Sequence, residues 1–179
     1  GFLAYDDLLD AYPEWRERVV FGAFVYPSRE GLPEYLAYRQ EVERVVADVN
    51  RRWATPGWTP ILFDPSDDFP RSVAALALAD VLLVNPVRDG LNLVAKEGTL
   101  VSARESVLVL SPEAGVWEEV GATAVRAHPF DVAGTADALH EALSLPAEER
   151  SARHRRRLDI VTARTPQDWL ADLLGAAGA

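Results

Sequence analysis

Five short apolar runs separated by helical segments predict an α/β fold, a parallel sheet covered by helices on both faces. Two further observations agree with it. The chain has 179 residues, enough for one domain with a full core. Apolar residues make up 49% and charged residues 26%, the balance of a globular chain and not of a disordered one.

The elements follow in order. Residues 2–15 carry Leu3, Leu8, Leu9 and Tyr12 at helical spacing, with Pro13 near the end. Residues 19–25 are a short apolar run with β-branched members, so a strand. Residues 33–53 give the clearest helix: Tyr35, Tyr38, Val42, Val45, Val49 and Trp53 fall on one stripe, and Asp48 and Arg52 are spaced to pair across a turn. Residues 58–63 read as the second strand. Pro70 opens a short helix to about Ala79, at a position where proline is tolerated. Four consecutive apolar residues, 81–84, read as a buried third strand, followed by a loop and a helix to about Arg104. Residues 107–110 are a strand, 113–120 a short helix and 123–127 a fifth strand. Asp131 is an N-cap for a helix through Leu143. Pro146 starts another, and Thr165-Pro166 cap and open a last one through Leu174. If that last helix lies across a neighbouring domain, Trp169 and Leu173 are exposed in this chain.

Composition excludes several functions. The formal net charge of -10 argues against a general nucleic-acid or anionic-membrane surface. There is no cysteine, which removes disulfides, thiolate zinc sites and cysteine nucleophiles and fits a cytoplasmic protein. No apolar run approaches the roughly 20 residues of a membrane span. The start carries no basic flank and no methionine, and residues 2–9 read as mid-helix. We therefore expect a fragment of a longer polypeptide.

The loop and helix after the third strand carry most of the chemistry: Asn85-Pro86-Val87-Arg88-Asp89-Gly90-Leu91-Asn92-Leu93-Val94-Ala95-Lys96-Glu97. In a doubly wound sheet, ligands bind at the carboxyl ends of the strands. A helix starting there offers unpaired N–H groups to a phosphate. Asp89 either accepts bonds from ligand hydroxyls or caps the next helix. Gly90 supplies a backbone shape closed to other residues, or lets a ligand come close. Asn92 and Leu93 are the first helical residues. Glu97, four residues beyond Leu93, faces the same way and suits the two hydroxyls of a ribose; the alternative is an acid favoured by the helix dipole. Lys96 reads as surface and Ala95 as core. Arg29, after the first strand, is on the same sheet edge and suits a phosphate, or else pairs with Glu30 or Glu34. Asp67, Asp68 and Phe69 follow the second strand. Adjacent aspartates do not make a metal site, and none is proposed. His140 and His154 read as solvated, and His128, after the fifth strand, as a loop histidine. The run 153–157 reads as a solvated basic helix face. No Walker loop, Gly-x-Ser-x-Gly or Gly-x-Gly-x-x-Gly is present.

The run from Arg88 to Glu97 resembles the donor-site signature of the trehalose-6-phosphate synthase family, retaining glycosyltransferases of the GT-B fold. Other stretches agree in the family's order: Phe2-Leu3-Ala4-Tyr5, Pro27-Ser28-Arg29, Gly57-Trp58-Thr59-Pro60, Leu108-Val109-Leu110-Ser111 with Ala114-Gly115, and Pro129-Phe130-Asp131. Together they cover nearly the whole chain. The resemblance implies that residues 1–179 are one Rossmann-like, nucleotide-sugar-binding domain, the carboxyl-terminal half of a two-domain enzyme. It implies transfer of glucose from a nucleoside-diphosphate glucose (UDP- or GDP-glucose) to glucose 6-phosphate, with retention and without a metal or other cofactor. Asp89 is then the catalytic-site acid and holds glucose hydroxyls with Gly90. Leu91 to Lys96 line the donor, with backbone contacts from Leu93 and Val94, and Glu97 takes the ribose. Phe69 touches the donor, and Arg29 reaches the acceptor phosphate. The family's Arg…Lys phosphate grip, the first strand of the sheet and the amino-terminal half fall upstream of Phe2. Gly98 departs from the family's usual aromatic and His128 from its frequent asparagine. Two other functions fit the same residues: a pseudo-glycosyltransferase joining a cyclitol to an amine, and a non-catalytic module sensing a sugar phosphate.

Overall fold

The structure, a computed structural model, describes residues 1–25 and 32–178. Helix α1 (Phe2–Ala11) runs into a single 3₁₀ turn at Pro13–Trp15. Then follow β1 (Phe21–Phe24), α2 (Pro33–Trp53), β2 (Ile61–Asp64), α3 (Phe69–Leu78), β3 (Val81–Val84), α4 (Leu93–Val101), β4 (Val107–Leu110), α5 (Trp117–Val120), β5 (Val125–Arg126), α6 (Val132–Ser144), α7 (Ala147–Thr162) and α8 (Pro166–Ala176). The helix starts follow local chemistry. Pro33 sits in the first turn of α2, where its missing N–H costs nothing. The Asp131 carboxylate accepts from the Gly134 amide at 2.8 Å and caps α6. Thr165 and Asp168 form a reciprocal capping box on α8.

Every strand pair is parallel, as expected, but the strands fall into two sheets: β1 with β2, and β3–β4–β5. Strands β1 and β3 do not pair. Between them lies a partly open cavity of about 130 Å³, lined by backbone as well as by side chains that include Leu8, Val19, Phe21, Val81, Leu83 and Leu139. Paired strands lie about 4.8 Å apart, so a space of this kind keeps their facing edges from bonding.

The core divides by sheet face. In β4, Val107 and Val109 point to one side, with Leu8 and Leu9 of α1, Leu139 of α6 and Val49 of α2. Leu108 and Leu110 point to the other, with Ala95 of α4, Val116 and Val120 near α5, and Ile160 and Val161 of α7. All four β4 residues are buried, the pattern of a strand covered on both faces.

Some expectations change on the surface. Of the α2 stripe only Val49 is buried, joined by Val46 beside it; Val42, Val45 and Trp53 are half-buried, and Tyr35 and Tyr38 are exposed. A 21-residue helix is roughly 30 Å long and outruns the four-residue strands beneath it. Asp48 pairs with Arg44 and Arg51 and not with Arg52, which reaches Asp6 and Asp10 of α1. His140 is not simply solvated: its ring stacks on Tyr12 at 3.8 Å, and its Nδ1 accepts from Trp15 Nε1 at 3.0 Å. On α8, Trp169 and Leu173 are exposed, together with Leu170 and Leu174.

The basic run also departs from a solvated face. His154 and Arg157 of α7 are buried, 6% and 1% exposed, while Arg155 and Arg156 face solvent. Burial pulls the His154 imidazole below its usual 6.5. The nearby Arg157 charge adds to this, and Glu105 opposes it. The unfolded chain therefore binds a proton at this residue more readily than the folded one. The stability contributed is complete above about pH 6.5 and is lost as pH falls through the lowered folded value. Denaturant midpoints are expected to fall from about pH 7.5 to about pH 5.5, and less steeply in His154→Gln. Parallel slopes for both proteins would exclude His154 as the source.

Candidate functional site

The carboxyl ends of the strands form one edge of each sheet. From β3 the chain leaves at Asn85 and reaches α4 at Leu93. Its loop is fastened to the loop after β4 by backbone alone. The Asp89 amide donates to the Glu113 carbonyl (3.2 Å), Gly115 N–H to the Asp89 carbonyl (3.1 Å), and Val116 N–H to the Leu91 carbonyl (3.0 Å). Asp89 and Ala114 thereby form an isolated parallel bridge. Below it, Ser111 N–H donates to the Val84 carbonyl at 2.8 Å.

The left-handed residue of this loop is Asn92, at φ 64°, and not Gly90. Asparagine tolerates that conformation because its side chain bonds locally. Here Asn92 Oδ1 accepts from the Ala95 amide at 3.2 Å, and Nδ2 donates to Asp89 Oδ2 at 2.9 Å. So Asn92, not Asp89, caps α4, and Asp89 is oriented by the cap. Asp89 remains exposed, as do Gly90, Leu91, Leu93, Val94 and Glu97. A side chain added at Gly90 would meet nothing within 4 Å. The space above the turn is therefore open to a ligand.

Two residues of the run are engaged elsewhere. Ala95 is 1% exposed, so only its backbone is available to a ligand. The Lys96 ammonium is held by both oxygens of Glu119 on α5, at 2.9 and 2.7 Å, and its side chain is half-buried. Gly98 is buried, and a Cβ there would lie 2.5 Å from Leu82 Cδ2. Helix α4 sits too close to β3 at this point for the aromatic that the resemblance leads one to expect.

Other sequence candidates distribute along the same edge. Phe69 is the first residue of α3 and 75% exposed, behind an Asp68 cap that accepts from the Arg71 amide. His128 is exposed after β5. Arg29 lies outside the described residues. Among the described residues, no three His, Asp or Glu side chains are grouped to hold a metal. Likewise no helix is long and apolar enough to cross a membrane.

Sequence reading missed two features here. Arg71 pairs with Asp64 at 2.8 Å, at the end of β2. Bonds from the Ser66 side chain and backbone hold the Asp64 carboxyl below its usual range. Gly115 is the second. Its missing Cβ would stand 1.9 Å from the Gly90 carbonyl oxygen. The signal for it was a glycine closing the Ser-Pro-Glu-Ala-Gly turn, opposite a second glycine.

Comparison with known proteins gives a consistent result. Residues 1–177 match the sequence profile of glycosyltransferase family 20. A probable alpha,alpha-trehalose-phosphate synthase [UDP-forming] of Arabidopsis thaliana is 37% identical over 97% of this chain. A solved E. coli structure bound with UDP-2-fluoro glucose superposes with a TM-score of 0.92 at 31% identity over 98% of this chain. An alpha,alpha-trehalose-phosphate synthase (UDP-forming) from Burkholderia xenovorans, in complex with glucose-6-phosphate, gives 0.93 at 33% identity over 99%. The chain spans 21% of the plant protein's length and 39% and 40% of the two structures.

Proposed function

This chain belongs to glycosyltransferase family 20, and from that premise we propose that it is the nucleotide-sugar-binding domain of a two-domain enzyme. That enzyme transfers glucose from a nucleoside-diphosphate glucose to glucose 6-phosphate, releases the nucleoside diphosphate, and forms trehalose 6-phosphate with retained anomeric configuration. The observation that carries this reading is the Asp89–Gly90 turn. It is exposed, open above, and fastened by three backbone bonds ahead of α4.

The chemistry assigns each residue a task. The opening amides of α4, at Leu93 and Val94, face the diphosphate, whose negative charge grows as the glycosidic bond breaks. Asp89, aligned by Asn92, accepts bonds from glucose hydroxyls and is the catalytic-site acid, with Gly90 letting the sugar approach. Glu97 takes the ribose hydroxyls. Phe69 packs against the donor, and Arg29 reaches the acceptor phosphate. No cofactor is called for, because positioned dipoles and charges stabilise the leaving group. Relatives described as UDP-forming support uridine as the base and a trehalose-phosphate product over cyclitol coupling. Phosphorylated substrates and a chain without cysteine fit a cytoplasmic setting.

Two measurements test this. The intact protein that carries this chain, supplied with UDP-glucose and glucose 6-phosphate, is expected to release UDP and trehalose 6-phosphate; no such product overturns the reading. Titration calorimetry with UDP is expected to give about tenfold weaker binding in Glu97→Gln, as for a lost bond to a charged group. Equal affinities would remove Glu97 from the site.

A further inference from the structure

Arg157 is the most deeply buried charge among the described residues, 1% exposed, and no carboxylate there forms an ion pair with it. Burial draws its pKa down to about 10, so it stays protonated at neutral pH. Its donors are divided among separate elements. Nε donates to Thr99 Oγ1 on α4 at 2.8 Å, and Nη2 to the Ser106 carbonyl at the foot of β4 at 2.5 Å. Nη2 also lies 3.3 Å from His154 Nδ1, and Nη1 has no partner. An apolar side chain of similar volume would fill this space at lower cost, since a buried charge without a counter-ion is unfavourable. What the guanidinium provides is a rigid fork of donors joining α7, α4 and β4.

The Thr99 hydroxyl carries the link onward, donating to the Ala95 carbonyl at 2.8 Å. Ala95 in turn gives its amide to Asn92, and Asn92 holds Asp89. A continuous path of hydrogen bonds therefore runs from the buried guanidinium to the carboxylate beside the open turn. The close seat of Gly98, the residue before Thr99, on Leu82 holds the same helix against β3. We propose that Arg157 is a positioning residue which, through the Thr99 hydroxyl, holds the first turns of α4 where their amides and Glu97 meet the donor. This rests on the donor-site reading of α4.

The test separates hydroxyl from volume. Thr99→Val keeps the shape and removes the bond; Thr99→Ser keeps the bond and removes a methyl group. UDP binding to the chain is expected to weaken about fivefold in the valine variant and to stay within about twofold in the serine variant. Hydrogen exchange at the amides of residues 95–97 is expected to quicken about tenfold in Thr99→Val, with that of β4 unchanged. Arg157→Met, where it folds, should reproduce the valine pattern. If serine is worse than valine, or both equal wild type in binding and exchange, Thr99 only fills space and the proposal fails. If wild type does not bind UDP, the donor reading fails. Exchange at 95–97 then decides the anchor alone, and an unchanged rate overturns it.

Discussion

Gly115→Ala is expected to slow glucose transfer by the intact protein about a hundredfold, the size of loss that a displacement of about 1 Å at a reacting site brings. The cause is space and not backbone conformation. An added Cβ would stand 1.9 Å from the Gly90 oxygen, 2.7 Å from its carbonyl carbon and 3.3 Å from the Leu91 nitrogen. All three are backbone atoms, so no side chain can rotate away. Either the Asp89–Leu91 segment lifts or the turn after β4 drops, and each movement strains the three bonds that join them. Overpacking of this kind costs about 1–3 kcal/mol of stability. The affinity change should be graded: on the proposed assignment, in which the displaced residues hold the sugar and Glu97 on α4 holds the ribose, UDP-glucose loses more than UDP. Titrating both ligands against wild type and variant measures it. Unchanged UDP-glucose affinity would mean that the sugar does not sit on this turn.

The parts of the fold that local chemistry decides could be read from the chain. Residues 81–84 and 107–110 are unbroken apolar runs between polar residues, and their bounds as strands β3 and β4 agree with the structure. Pro33, Asp131 and Thr165 mark helix starts because each satisfies or removes an orphan N–H. Long-range pairing was not readable. Nothing in residues 21–24 or 81–84 says that β1 and β3 stand apart with a cavity between them. The open turn was legible as Asp89-Gly90. Its conformation was not, because the glycine rule points to Gly90 and the left-handed residue is Asn92. Gly90 matters instead as the surface on which Gly115 rests. Arg157 was hidden by a rule of thumb about charge runs. Spacing held the better signal: His154, Arg157 and Val161 stand at i, i+3 and i+7, one inward stripe of α7.

Leu9→Ala is expected to give the largest loss of stability, about 2–5 kcal/mol, the range for a fully buried leucine cut to alanine. Leu9 is 0% exposed and belongs to the cluster that joins α1 to the first face of the sheet. The void should persist. Its cluster partners on β4, Val107 and Val109, are fixed by strand pairing, and on α6 Leu139 is already packed in the cluster while Ala136, Ala138 and Ala142 are too small to reach across. For a domain of this length such a loss lowers the melting temperature by roughly 5–15 °C. A urea midpoint that falls at constant slope would report it as stability alone. The site should be spared. Gly1, which precedes α1, is the residue beside the end of β3, where an added Cβ would meet Leu83 and Asn85, while the turn is held by its backbone bonds to the loop after β4. Leu9→Ala should therefore unfold early yet bind UDP-glucose normally while folded, the reverse of Gly115→Ala. If both variants lose affinity in proportion to stability, the turn is not an independently held structure, and the fastening by Glu113, Gly115 and Val116 is not what shapes the site.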